Sequence, residues 1–272
     1  MNRIDIDDKT FRQFEDYRAD EDGSRALGRL IRFSAKKQQE EAERLAIVIL
    51  EAHWFDLDDN PGQASNAPFL EGVCRLADNA KSYRLNFYDA NSFGHALDAI
   101  ATISETRIIL YIGAHGSKAK VAAAHATTLM KKVADFSRKK KKIEGIVLSS
   151  CLAGGHDPAM VEALSGSSNW IFGYRTAVDF LGSIQVESAI LAHLAAAGPG
   201  FSHSEEDVVE VFGNALHCFN PHWEIGMKQY PRLVDAFRLI TRGKHMKNVT
   251  DRSQGVIDCA WPQPAPPVQR QP

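Results

Sequence analysis

Long apolar runs are missing from the 272-residue sequence. The longest, Leu45 to Leu50, ends at Glu51, whereas a membrane-spanning helix needs about 20 apolar residues. The N-terminal residues, Met1 to Asp8, are acidic where a secretory signal is basic and then apolar. We therefore expect a cytoplasmic protein without membrane contacts.

An excess of positive charge is also missing, since 32 Lys and Arg residues stand against 34 Asp and Glu residues, for a net charge of -2. A protein that holds nucleic acid by bulk attraction carries a basic field over much of its surface. No nucleic-acid partner is expected.

Several motifs are absent as well. The cysteines contain no CxxC pair and lie far apart, at Cys74, Cys151, Cys218 and Cys259. This spacing predicts neither a disulfide framework nor a zinc site, and the histidines lack metal-ligating spacings. Phosphate-binding glycine motifs and the GxSxG sequence of serine hydrolases do not occur. No metal site is predicted, and the common nucleotide-binding and serine-hydrolase sites are excluded.

What the sequence does contain is the composition of a globular protein, with 44% hydrophobic and 24% charged residues. Short, nearly continuous apolar runs alternate with longer helical stretches, which is typical of strands buried on both faces of a parallel sheet. The predicted strands are 45–51, 84–88, 107–112, 145–149 and 170–174. The predicted helices are 67–80, 94–104, 120–136, 184–197, 205–218 and 225–239. The predicted fold is α/β, a mostly parallel sheet flanked by helices on both faces.

The two ends of the chain differ from the middle. Residues 1–44 carry apolar side chains at helical spacing between charges, which predicts an N-terminal helical segment. Residues 45–258 form the predicted α/β domain with further helices at its C-terminal end. Residues 259–272 are rich in proline and predict a flexible, extended tail.

Two predicted strands are followed by residues whose side chains can take part in catalysis. The third strand runs into His115 and Gly116, and the fourth runs through Ser149 and Ser150 into Cys151. Because the carboxyl ends of parallel strands meet at one edge of a sheet, we expect the imidazole and the thiol to lie close together. A thiol beside an imidazole is a reactive nucleophile, since the imidazole can remove the thiol proton. The backbone N–H groups of Gly116 and Cys151 would then stabilise an oxyanion.

With these residues the sequence resembles the caspase-like cysteine peptidase superfamily, which includes caspases, metacaspases, gingipains, separases and bacterial CHAT-type proteases. The resemblance implies that His115 is the general base, Gly116 an oxyanion donor and Cys151 the nucleophile, with no cofactor. Ser149 stands where metacaspases place an acidic residue, so the likeness is closer to bacterial caspase-like and CHAT-type proteins. Some of these act in defence against phage, which suggests antiviral defence by analogy.

The fifth strand is expected to line the substrate cleft. In the family this region pairs with an extended peptide, so we expect Gly173, Tyr174 and Arg175 to contact substrate by strand addition. Arg175 suits an acidic group and Asp179 a basic one, unless the two pair with each other. The balance favours a basic residue before the scissile bond, bound by Asp179. Ser149 and His53 are also predicted to line the cleft.

The sequence leaves a rival interpretation open, because a caspase-like fold without turnover would serve as a scaffold or protein-binding module. For an active enzyme we expect a protein substrate. We also expect control by a regulatory protein partner, contacted through the N-terminal helices or a neighbouring surface.

Overall fold

Seven strands form one sheet in the computed structural model, which describes residues 31–32, 34, 36, 43–52, 65–198, 201, 204–226, 231–243 and 249–262. These strands are β1 (Leu45–Ala52), β2 (Ala80–Phe87), β3 (Arg107–Gly113), β6 (Gly145–Ser149), β7 (Trp170–Tyr174), β8 (Phe237–Arg242) and β9 (Val249–Asp251). A separate hairpin contains β4 (Lys120–Val121) and β5 (Ala124–His125). The order across the sheet is β2-β1-β3-β6-β7-β8-β9.

The first five strands in this order are parallel, and β8 and β9 are antiparallel additions at one edge. β1, β3, β6 and β7 are buried along their whole length. Such strands lie in the middle of the sheet with helices over both faces, which is why they read as continuous apolar runs. The predicted α/β class with a mostly parallel sheet is confirmed.

Helices cover the sheet on both sides. They are α1 (Ala67–Leu76), α2 (Ala90–Ile100), α3 (Ala126–Lys139), α4 (Asp157–Ala163), α5 (Phe180–Ala196), α6 (Glu205–Leu216), α7 (Leu233–Ala236) and α8 (Ser253–Ala260), with a 3-10 turn at Ala153–Gly155. The core on one face contains residues of α1, α5, α6, α7 and α8, and the core on the other contains residues of α2, α3 and α4. The alternation along each strand therefore decides which helical layer a side chain meets.

Two predicted helices begin too early. Residues 120–125 form the β4–β5 hairpin instead of the first turns of a helix, and α3 begins only at Ala126. Among the described residues of 225–239, the short helix α7 is followed by the start of β8. Phe237 and Leu239 enter one core and Ile240 enters the other, and this alternation, with the pairing to β7, outweighed the apolar spacing that had indicated a helix.

The predicted ends lie mostly outside the described residues. The structure describes only four residues of the segment before Glu43, so the predicted N-terminal helices are not among the described elements. At the other end, α8 continues to Ala260 and buries Val256 and Ala260. The first two residues of the predicted tail, Cys259 and Ala260, thus belong to a helix, and residues 263–272 are not described.

The start of β6 tests how tightly the sheet packs. A methyl group on Gly145 would overlap the indole ring of Trp170, which is fully buried on β7. We expect Gly145→Ala to lower the free energy of unfolding by about 2 kcal/mol or more through overpacking, measured by urea denaturation. Gly72→Ala is the matched control, because nothing lies near that position on α1; it should stabilise the protein by about 0.5 kcal/mol. Equal effects of the two variants would contradict this account.

Candidate active site

The predicted catalytic residues follow two strands that are neighbours in the sheet. Gly113 at the end of β3 pairs with Ser149 at the end of β6, and the Ala114 N–H donates to the Ser149 carbonyl at 3.1 Å. His115 and Cys151 each lie two residues beyond that pair. Side chains alternate along a strand, so both positions continue the face that carries Tyr111 and Val147. Neighbouring strands lie about 4.8 Å apart, and the sheet therefore brings these two loops together.

Gly116 shows how close the loops come. A Cβ atom on Gly116 would lie 2.5 Å from the carbonyl oxygen of Cys151 and 3.2 Å from its nitrogen, and it would overlap the Ser150 hydroxyl. Only glycine permits this contact between backbones. The residue after His115 is thus packed against Cys151 itself.

The hydrogen bonds around Gly116 leave its N–H for another partner. The His115 carbonyl accepts from Ala122 N–H at 2.8 Å, and Ser117 N–H donates to the Lys120 carbonyl at 2.9 Å. In this antiparallel pattern the residue between the bonded ones, Gly116, directs its N–H away from the hairpin. Among the described residues, the Cys151 N–H also donates to no backbone carbonyl. Within the described part of the chain, neither of the two predicted oxyanion donors is bonded to a backbone carbonyl.

Backbone strain lies beside both loops. Leu152, directly after Cys151, has φ 63°, and Ala122, bonded to His115, has φ 53°; they are the non-glycine residues with positive φ in the described part of the chain. This left-handed conformation costs about 1–2 kcal/mol for such residues. The Leu152 N–H donates to the Thr176 carbonyl at 3.0 Å, which holds the turn. Strain of this kind concentrates at functional sites.

The thiol of Cys151 differs from the other three in its surroundings. It is partly buried at the carboxyl edge of the sheet, and its Sγ donates to the Val178 carbonyl at 3.6 Å. Burial raises the pKa of the Cys74 thiol to about 11, so that residue is inert near neutral pH. Cys218 and Cys259 are exposed; Cys218 lies in the turn after α6 and Cys259 lies on α8. The side chain of His115 is exposed.

The prediction of strand addition at β7 is wrong for residues 173 and 174. Gly173 pairs with Leu148 on one side and with Arg238 on the other, so no free edge remains there. The Tyr174 ring is fully buried, and its hydroxyl donates to the Ser183 carbonyl at 3.2 Å. A substrate cannot reach this ring, because β8 adds to β7 and closes the sheet over it.

Arg175 and Asp179 do not pair with each other. Arg175 forms an ion pair with Asp251 at 2.9 Å and donates to the Ser253 hydroxyl. Its guanidinium group therefore contacts the end of β9 and the start of α8. Asp179 caps α5, since its Oδ1 accepts from the Gly182 N–H at 2.7 Å. Its side chain is only partly buried, so a carboxylate oxygen remains for a further partner. Asp179 follows Val178, whose carbonyl contacts Cys151.

The other two predicted cleft residues have different outcomes. The Ser149 side chain is nearly buried, and its hydroxyl accepts from Asn66 Nδ2 at 3.5 Å. It lies beneath the site, on the same face as Cys151. His53 lies outside the described residues.

A buried polar network beneath the site was not predicted from the sequence. Glu187 on α5 is fully buried, and its Oε2 accepts from the Tyr111 hydroxyl at 2.7 Å. Asn66, at the start of α1, donates to the same hydroxyl. Its backbone N–H donates to Glu51 at 2.7 Å. The signal that could have revealed it is a single acidic residue in an otherwise apolar predicted helix.

Burial raises the pKa of Glu187 to about 7, against the hydrogen bond from Tyr111 that lowers it. The burial effect is the larger because a carboxylate loses its hydration there. The same burial raises the pKa of Tyr111 and Tyr174 well above their ordinary value. Near neutral pH the network therefore contains neutral tyrosines and a carboxyl that is partly protonated.

Metal ligation and membrane insertion find no support in the described part of the chain. No group of three His, Cys, Asp or Glu side chains there lies close enough together to hold a metal ion. No helix there combines the length and apolarity that crossing a membrane requires.

Comparison with known proteins finds likenesses among solved structures only; no family model and no curated protein matches the chain. The chain is similar to a secreted C11 cysteine protease from Bacteroides thetaiotaomicron, iotapain, at 13% identity over 78% of this chain and 68% of that chain, with a TM-score of 0.46. A second such structure, a secreted C11 cysteine protease from the same organism in complex with an irreversible peptide inhibitor, shares 8% identity over 73% and 66%, with a TM-score of 0.48. Caspase-1 from Spodoptera frugiperda shares 12% over 65% and 78%, with a TM-score of 0.40.

The raised pKa of Glu187 makes stability depend on pH. The folded state binds this proton more tightly than the unfolded state, so the contribution is complete below about pH 4.5 and is lost as the pH rises through about 7. Between pH 5.5 and 8.5 the wild type should lose about 2 kcal/mol more of its unfolding free energy than Glu187→Gln. Urea denaturation of both proteins across this range measures the difference. Parallel pH profiles would show that the carboxyl does not titrate in the folded protein.

Proposed function

We propose that this chain is a cysteine endopeptidase in which Cys151 is the nucleophile and His115 the general base. The observation that carries the proposal is the packing of Gly116 against the backbone of Cys151, at the carboxyl ends of the paired strands β3 and β6. The proposal requires that the thiol and the imidazole at the ends of these loops approach closely enough for proton transfer, and the contact between the two loops supports it. No cofactor or metal takes part in this reaction.

The reaction takes place in two stages. His115 removes the thiol proton, the sulfur of Cys151 attacks the peptide carbonyl carbon, and the C–N bond breaks as His115 returns the proton to the leaving amine. Water, deprotonated by His115, then attacks the thioester, and the carboxylic acid leaves as the thiol forms again. The N–H groups of Gly116 and Cys151 stabilise the negative oxygen in both tetrahedral intermediates.

A basic residue before the scissile bond fits the charges at the site. Asp179 stands one residue beyond the carbonyl that contacts Cys151 and has a partly exposed carboxylate. Arg175, the candidate for an acidic substrate, is paired with Asp251. A lysine or arginine side chain would give Asp179 a charged partner.

Three further parts of the proposal concern the setting. A peptidase with a preformed site needs control, for which a regulatory protein partner is proposed. We also propose that the protein is cytoplasmic and that it acts in antiviral defence. A catalytically silent scaffold is the rival, and the experiments below separate the two.

Loss of either catalytic residue should abolish turnover without unfolding the chain. Cys151→Ala and His115→Ala should each reduce kcat/KM on a fluorogenic peptide library by about 10³-fold or more, while Cys218→Ser, the control at an exposed thiol, should retain activity. Iodoacetamide should modify Cys151 faster than Cys218, as followed by mass spectrometry of the four cysteine peptides. A wild type that cleaves no peptide, with Cys151 no more reactive than Cys218, would favour the scaffold.

Asparagine at position 179 separates charge recognition from helix capping. Asn retains the side-chain oxygen that accepts from Gly182 N–H and is an equally good N-cap, but it removes the negative charge. Asp179→Asn should lower kcat/KM for peptides with lysine or arginine before the scissile bond by about 10- to 100-fold. Activity on the matching norleucine peptide should change little. Equal effects on both peptides would exclude Asp179 as the recognition residue.

A further inference from the structure

Burying the carboxyl group of Glu187 at its position is energetically unfavourable. It lies at zero exposure in the core between the sheet and α5, and no described cation forms an ion pair with it. Its Oε1 has no hydrogen-bond partner among the described residues. Burying a carboxyl without compensation is unfavourable, and leucine would fill the same layer at no such cost. The contacts of Glu187 indicate what the carboxyl does there.

Its contacts lead to both strands of the candidate site. The Tyr111 hydroxyl, which donates to Glu187 at 2.7 Å, belongs to β3, four residues before His115. Asn66 donates both to Tyr111 and, at 3.5 Å, to the Ser149 hydroxyl. Ser149 ends β6, two residues before Cys151. One carboxyl is thus connected through hydrogen bonds to the ends of β3 and β6, shortly before each proposed catalytic residue.

The helix that carries Glu187 also reaches the thiol. Asp179, Ser183 and Glu187 follow one another at intervals of four residues and so share one face of α5. The Ser183 carbonyl accepts from Tyr174, and the Val178 carbonyl, just before the helix, accepts from the Cys151 thiol at 3.6 Å. A displacement of α5 against β3 would move both Val178 and Asp179.

We propose that Glu187 is a positioning residue of the Cys151 site, which acts through Tyr111, Ser149 and the start of α5 to hold the thiol, His115 and Asp179 in their productive arrangement. The inference rests on the proposed peptidase function, since it concerns the same site. Glu187 touches neither substrate nor the reacting atoms.

The groups around Glu187 give the arrangement a pH dependence. The titratable groups that face it are Tyr111 on β3 and Tyr174 on β7, with Glu51 on β1 behind Asn66 and Asp179 at the start of its own helix. The side chains that α6 contributes to this core, Val208 and Phe212 among them, are apolar. All of these groups are neutral or negative, so a charge on Glu187 finds no cation, and ionisation weakens the packing of α5 as the pH rises.

Two substitutions separate the hydrogen bonds of Glu187 from its volume and its charge. Glu187→Leu keeps the approximate volume of the side chain but makes it apolar, and so removes the acceptor for Tyr111. Glu187→Gln retains a neutral acceptor that cannot ionise. The readouts are kcat and KM on the best library peptide and the alkylation rate of Cys151, each between pH 5.5 and 8.5. Urea denaturation checks folding.

Glu187→Leu should lower kcat about 10-fold with KM within twofold of wild type, and it should change the alkylation rate of Cys151 but not that of Cys218. Glu187→Gln should rescue kcat at pH 6. Above pH 7 it should retain a larger share of its activity than the wild type does, about threefold more at pH 8.5. This combination of a kcat effect, rescue and an altered pH profile does not follow from a merely structural role.

A folded Glu187→Leu protein with wild-type kcat and wild-type Cys151 alkylation at every pH would overturn the proposal. If Glu187→Leu fails to fold, the Glu187→Gln profile decides, and a profile identical to that of the wild type overturns it. If the wild type cleaves no peptide, the peptidase function fails by itself. A changed alkylation rate of Cys151 in Glu187→Leu, with an unchanged rate of Cys218, then still supports the positioning role. An unchanged rate of Cys151 refutes it.

Discussion

The pairing of β3 with β6 is the interaction on which the candidate site depends. Gly113 and Ser149 are register partners, and a shift of one residue would turn every following side chain to the opposite face of the sheet. The loops that carry His115 and Cys151 leave these two strands directly, so their approach depends on this register. That register is enforced by burial, because Tyr111 and Val147 must enter one core while Ile112 and Leu148 enter the other. The hydrophobic effect that folds the sheet therefore also brings the two loops together.

The two loops that follow this strand pair approach each other closely, and this approach restricts the backbone conformations that they can adopt. Gly116 fits against Cys151 only because it has no side chain, and Leu152 is held in the left-handed region by a bond to Thr176. Neither feature stabilises the fold, since a wider loop with ordinary backbone angles would cost less. Both features restrict the backbone next to Cys151, as the proposed oxyanion site requires.

Much of the fold could be predicted from the sequence because its central strands are buried on both faces and read as apolar runs. His115 and Cys151 could be proposed from the sequence because reacting groups collect at the carboxyl ends of such strands, and the structure places the two loops that carry them next to each other. β8 was missed because Leu233, Phe237 and Ile240 fit a helical spacing. Its place beside β7, which removes the predicted free edge at Tyr174, depends on pairing between distant segments. Glu187 could not be assigned because its partners, Tyr111 and Asn66, lie far away in the sequence.

For the proposed peptidase, β8 also limits where a peptide substrate would bind. Arg238 on this strand donates to the Gly154 carbonyl at 2.9 Å and forms ion pairs with Asp157 at 2.7 Å and Asp251 at 3.1 Å. The side chain is largely buried, so these bonds are stronger than those of an exposed pair. They fix the turn that follows Cys151 from the side of β8, while Thr176 holds it through Leu152. In the proposed peptidase, β8 covers the edge of β7 and this turn is anchored, so a substrate would approach Cys151 from the side where His115 is exposed and Asp179 partly exposed.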